Sequence, residues 1–92
     1  MSNQDDLHKT LTERGARYGA FITHANVTWA FKTVLHTHPK FSQMEADQRE
    51  ALDMIAHKIG RILNGDPNYA DSWVDIAGYA QLVAKRLEGT VL

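Results

Sequence analysis

The chain has 92 residues and a formal net charge of −1, which suits one domain with a core near the smallest that folds unaided; the near-neutral balance argues against a general nucleic-acid binder. No cysteine is present, which excludes disulfides, thiolate metal sites and cysteine nucleophiles and suits a reducing compartment. The first residues carry neither a basic region nor an apolar run, and no stretch is long and apolar enough for a membrane span, so a cytoplasmic protein is expected.

Two prolines, Pro39 and Pro67, punctuate otherwise helical sequence, and no strand-like alternation persists. The reading is all-α: a compact bundle of about four helices over 3–14, 20–36, 43–63 and 67–88, a single helical domain over 1–92. An oligomer is expected, because a core this small is often completed by a subunit interface. Asp5 and Asp6 favour the start of the first helix, Leu7 and Leu11 form an apolar pair, and Gly15 is the expected stop. The turn Gly15-Ala16-Arg17-Tyr18-Gly19 leads into a second helix that ends before Pro39. There Trp29 and Phe31 point in different directions, one expected in the core and the other towards a partner subunit. The third helix opens on a capping box, Ser42 as N-cap with Glu45 at N3, and Asn64-Gly65 ends it. Its core stripe is Leu52, Ile55, Ile59, Ile62 and Leu63. Asp66-Pro67 reads as N-cap and N1 of the fourth helix, whose stripe is Trp73, Ile76, Tyr79, Ala80, Val83 and Leu87. A short connection makes helices three and four antiparallel neighbours.

The richest chemistry lies on those two helices. Helical spacing lines up Glu50, Asp53, His57 and Arg61 on the third, with Lys58 near its apolar arc, and Asp71, Asp75 and Gly78 on the fourth. Asp75 borders the apolar face, so it requires a cation, since an unpaired buried carboxylate costs several kcal/mol. Two readings stay open. In one, Asp71 and Asp75 pair with Lys58 and Arg61 and fix the helix register. In the other, Asp53 and Asp75 with Asp71 or Glu50 hold a divalent cation, and Lys58 and Arg61 neutralise phosphate oxygens. The mid-helix glycines Gly78 and, less forcefully, Gly60 suggest close approach of a helix or ligand.

The run Glu50–Gly65, followed by Asp71–Ala80, resembles a family of small uncharacterised phage and prophage proteins; Glu13-Arg14-Gly15 with Arg17-Tyr18-Gly19 resembles its N-terminal signature. The same two-helix pattern is more distantly similar to nucleotide-modification-associated phage domains and to the MazG-type all-α NTP pyrophosphohydrolases. That resemblance implies an oligomer, magnesium held by acidic motifs on two helices, and cleavage of nucleoside triphosphates to monophosphate and pyrophosphate. Asp75 matches the aspartate of the second acidic motif. Ser72 stands where that motif has glutamate, with Asp71 one residue further back, and Glu50 and Asp53 stand for the two glutamates of the first. Lys58 and Arg61 occupy positions where the hydrolases often carry acids, so nucleotide binding is expected more firmly than hydrolysis.

Arg14, Arg17 and Tyr18 in the first turn supply cations and a stacking ring for a nucleotide, or simply cover the bundle's end. His36-Thr37-His38 invites a zinc reading, but two histidines flanking one residue do not face one another well enough for a site; surface or cap histidines are expected, and a half-exposed, hydrogen-bonded His57. The expectation is therefore a nucleotide-binding protein, with Lys58, Arg61, Arg17, Tyr18 and His57 as ligand contacts, and magnesium as the cofactor if it is a pyrophosphohydrolase. The alternatives are a non-enzymatic accessory protein, which binds a host protein or sequesters a nucleotide defence signal in the host cytoplasm, and a structural helical oligomer.

Overall fold

The computed structural model describes residues 3–90. It contains α1 (Asn3–Tyr18), α2 (Phe21–Thr37), a single 3-10 turn (Phe41–Gln43), α3 (Ala46–Asn64) and α4 (Ala70–Leu87), and no strand among the described residues. The all-α expectation holds. Helix α3 is central, packed on one flank against α2 and on the other against α4. No helix of the described residues is long and apolar enough to cross a membrane.

The helix boundaries depart from the sequence reading in instructive ways. Helix α1 runs through Gly15, around which a side chain would meet only open space, and ends at Gly19 with φ +78°. An exposed helix tolerates an interior glycine for about 1 kcal/mol, so the stop is set by what caps the end. Asn64 donates through its side-chain amide to the carbonyls of Tyr18 (2.8 Å) and Ala20 (3.0 Å), and the Asp66 amide donates to the Arg17 carbonyl at 2.7 Å. The end of α3 thus satisfies the last carbonyls of α1, which otherwise lack intrahelical partners.

The capping box of α3 lies three residues beyond the expected one: Glu45 is the N-cap, and the Gln48 side-chain oxygen accepts the Glu45 amide at 3.0 Å. Ser42 belongs to the 3-10 turn instead, its hydroxyl donating to the Pro39 carbonyl. Asp66 and Pro67 likewise precede α4 rather than begin it. The Asp66 carboxylate accepts the Asn68 amide at 2.9 Å, a local turn that competes with capping, and Tyr69 becomes the N-cap.

Packing is where the sequence reading and the fold diverge most. Among the described residues the buried apolar side chains are Ala51 and Ala56 alone, and no large side chain is fully buried. The contact between α2 and α3 is made by small and polar groups: a side chain at Gly60 would collide with Thr28 and His24, both buried. Gly60, rather than Gly78, therefore marks the close helix approach; among the described residues nothing lies within 4 Å of where a side chain at Gly78 would start. The α4 stripe expected in the core is only half used, with Trp73 and Leu87 mostly exposed. Trp29 and Phe31 are both exposed as well, so neither sits in a core formed by this chain.

Candidate functional site

The polar seam expected between α3 and α4 separates into three contacts. Lys58 Nζ meets Asp75 Oδ2 at 2.9 Å, with the Lys58 side chain buried and that of Asp75 half exposed. Asp53 turns to the other flank, where His36 Nε2 donates to its carboxylate at 2.7 Å. Asp71 accepts the Tyr69 hydroxyl at 3.0 Å, and that hydroxyl accepts from Arg17 at 3.3 Å. Asp53 and His57 lie on the α2 side of α3 and Lys58 on the α4 side, so helical geometry divides what spacing had grouped. Glu50 shares a shallow concavity with His36, Arg49 and Asp53. Among the described residues no three His, Asp or Glu side chains are gathered closely enough to hold a metal ion. Within one chain, the four acids do not form one ligand set.

A different cluster forms where α1 ends and α2 begins. A cavity of about 340 Å³ is lined there by Arg14, Tyr18, Phe21, His24, His57 and Arg61, among others. The Arg61 guanidinium lies 4.3 Å from the centre of the Tyr18 ring, a cation–π arrangement that orients the cation. Tyr18 is tilted against Tyr69 at 6.1 Å, and Arg17 lies 5.0 Å from the Tyr69 ring centre. Cations and rings thus alternate across the corner. Three of the five expected ligand contacts, Tyr18, His57 and Arg61, line the cavity; Arg17 sits behind it on Tyr69, and Lys58 faces α4.

Two histidines form the floor. His24 and His57 meet edge to face with centroids 4.6 Å apart, and His24 Nε2 lies 3.4 Å from the Thr28 hydroxyl. Burial pushes the His57 imidazole down to about 4, with the neighbouring His24 and Arg61 adding to the effect. His24 is lowered too, again chiefly by burial. Both rings are therefore neutral near pH 7, and the cavity's positive charge comes from its arginines. Phe21 is 80 % exposed at the rim, its ring tilted against that of His24 with centroids 6.3 Å apart.

Phe21, Leu11 and Tyr69 carry no sequence signal of this role. Phe21 reads as ordinary helix content, and Tyr69 sits in a loop whose position follows from the α3–α4 turn. Arg14 was legible as a cation beside two glycines, but only the fold brings it next to Arg61 and His57.

The match to a family model covers residues 6–87, nearly the whole of this corner and the helices behind it. The chain belongs to the DUF6378 family, a domain of unknown function. No curated protein and no solved structure matches it.

Proposed function

We propose that this DUF6378 protein binds a nucleotide at the corner of α1, α2 and α3, as a phage-type relative of the all-α NTP pyrophosphohydrolases that binds without hydrolysing. The observation that carries the reading is the Arg61–Tyr18 pair set beside Arg14 and neutral His57 in a cavity of about 340 Å³. That volume lies within the range of small-molecule sites, which combine apolar walls with a few convergent polar groups. Arg14 and Arg61 suit phosphate oxygens, since a guanidinium presents several donors in a fixed plane. Phe21 offers an exposed ring on which a base stacks, and His57 supplies an uncharged hydrogen-bonding group.

Hydrolysis is not expected, for a geometric reason. Asp53, Asp71 and Asp75 each engage a different partner, whereas metal-assisted phosphoryl chemistry needs carboxylates converging on one ion. A binder of this kind fits an accessory protein that sequesters a nucleotide signal.

Calorimetric titration with NTPs, dNTPs and monophosphates, with and without magnesium, tests the reading. Saturable binding is expected, weakened at least about tenfold by Arg61→Ala, the loss of one charge-assisted contact, and without release of pyrophosphate. Heat and melting temperature unchanged by every nucleotide would overturn it; pyrophosphate release would restore the enzymatic version.

A further inference from the structure

The far end of the α2–α3 contact carries a concavity that the nucleotide reading does not use. At 1.5 Å per residue, His36 lies about 18 Å along α2 from His24, so the two places are separate. The concavity has a volume of about 500 Å³ and is lined by His36, Phe41, Ser42, Arg49, Glu50 and Asp53, with Ala46 between them.

The local sequence builds one wall of it. Helix α2 stops short of Pro39, and the 3-10 turn over Phe41–Gln43 brings the chain back towards the helix it has left. The Phe41 ring stacks on that of His36, with centroids 4.7 Å apart and planes 23° from parallel. Asp53 accepts from His36 Nε2 at 2.7 Å. A stack and a hydrogen bond thus hold a flat aromatic surface in place.

Two opposite charges beside this wall are left over. Asp53, four residues after Arg49, is the usual helical partner for that cation, but His36 takes its carboxylate. Among the described residues neither Arg49 nor Glu50 forms an ion pair. Arg49 Nε is shielded from solvent and has no hydrogen-bond acceptor. An exposed glutamate is ordinary on a helix surface. A shielded, charged donor without an acceptor is not, and an acceptor from outside the chain satisfies it.

We propose that this concavity binds a free α-amino acid with an apolar or aromatic side chain. Arg49 takes the α-carboxylate, Glu50 takes the α-ammonium, and the side chain lies against Phe41 and His36. A guanidinium matches a carboxylate with two parallel hydrogen bonds. A simple anion such as phosphate is disfavoured by the carboxylates of Glu50 and Asp53, and a simple cation by Arg49. A zwitterion satisfies both signs at once. The volume is within the range of small-molecule sites.

Calorimetric titration of the full chain with phenylalanine, N-acetylphenylalanine and phenylalanine amide tests this. Phenylalanine should bind saturably, and each derivative, which lacks one of the two charges, at least about tenfold more weakly. Glu50→Gln should weaken phenylalanine at least about tenfold while leaving the N-acetyl form unchanged. Arg49→Met should do the same with respect to the amide. Neither residue is paired in the free chain, so both variants should melt close to the wild type; Glu50, at the surface, carries the test if Arg49→Met does not fold. No heat with phenylalanine or leucine, equal binding of the three forms, inorganic phosphate bound as tightly as phenylalanine, or phenylalanine affinity unchanged by Glu50→Gln would overturn the proposal.

Discussion

Helices α1 and α3 have nearly equal lengths and opposite circumstances. Helix α3 is gripped on both flanks, by Gly60 against Thr28 and His24 on one and by Lys58–Asp75 and Asp47–Arg86 on the other. Helix α1 is exposed from Asp5 to Arg17 and is fixed chiefly at its C-terminal end by Asn64 and Asp66. The difference shows where the stability of a small helical chain resides: in the close approach of backbones and the partnering of polar groups as much as in apolar side chains. It also fits the position of the candidate site, at the corner where the loosely held helix meets the firmly held one.

The largest effect is expected from filling the closest contact. Gly60→Leu forces a side chain into Thr28 and His24 and should destabilise the protein by about 3 kcal/mol or more in urea denaturation. Gly78→Ala, the same residue type in open space, should instead stabilise α4 by up to about 1 kcal/mol through helix propensity. Destabilisation by both would show that α4 approaches another body at Gly78.

Removing Asp75 tests the other flank. Asp75→Asn leaves the buried Lys58 cation without its counter-charge; with the carboxylate itself half exposed, a loss of about 1–3 kcal/mol is expected. Lys58→Met, which removes the need for a partner, should cost less than Asp75→Asn. The reverse order would mean that the pair itself stabilises the hairpin.

The histidine pair makes the α2–α3 contact sensitive to pH. The folded protein holds His57 at about 4 against an ordinary 6.5, so the unfolded chain binds a proton that the folded chain refuses. Stability is complete above about pH 6.5 and falls as the pH drops towards about 4, below which no further loss comes from this group. His24 contributes in the same direction. Thermal melts from pH 7 to pH 4 should show the decline, and His57→Gln should flatten it. The smallest effect belongs to α1: Leu11→Ala, 57 % exposed, should change stability by no more than about 0.5 kcal/mol. A larger loss would place α1 in contact with a partner.

The sequence by itself determined the fold class and the existence of four helices, because apolar periodicity and the scarcity of proline are local properties that each segment expresses alone. It also picked out Tyr18 from the turn between two glycines, and His57 and Arg61 from the polar stripe of the third helix, as ligand candidates. It did not determine where the helices stop. Gly15, Ser42 and Asp66 are sound local signals, but Asn64, Gln48 and Tyr69 occupy the actual ends, chosen by which groups reach the unsatisfied amides and carbonyls. Nor did it determine which acids meet which bases. One turn of α3 sends Asp53 and His57 to α2 and Lys58 to α4, and a rotation of that kind is fixed only when three helices pack together. Tertiary structure alone also decided that Gly60 is a contact and Gly78 is open, because spacing records a face of a helix but not what stands opposite it.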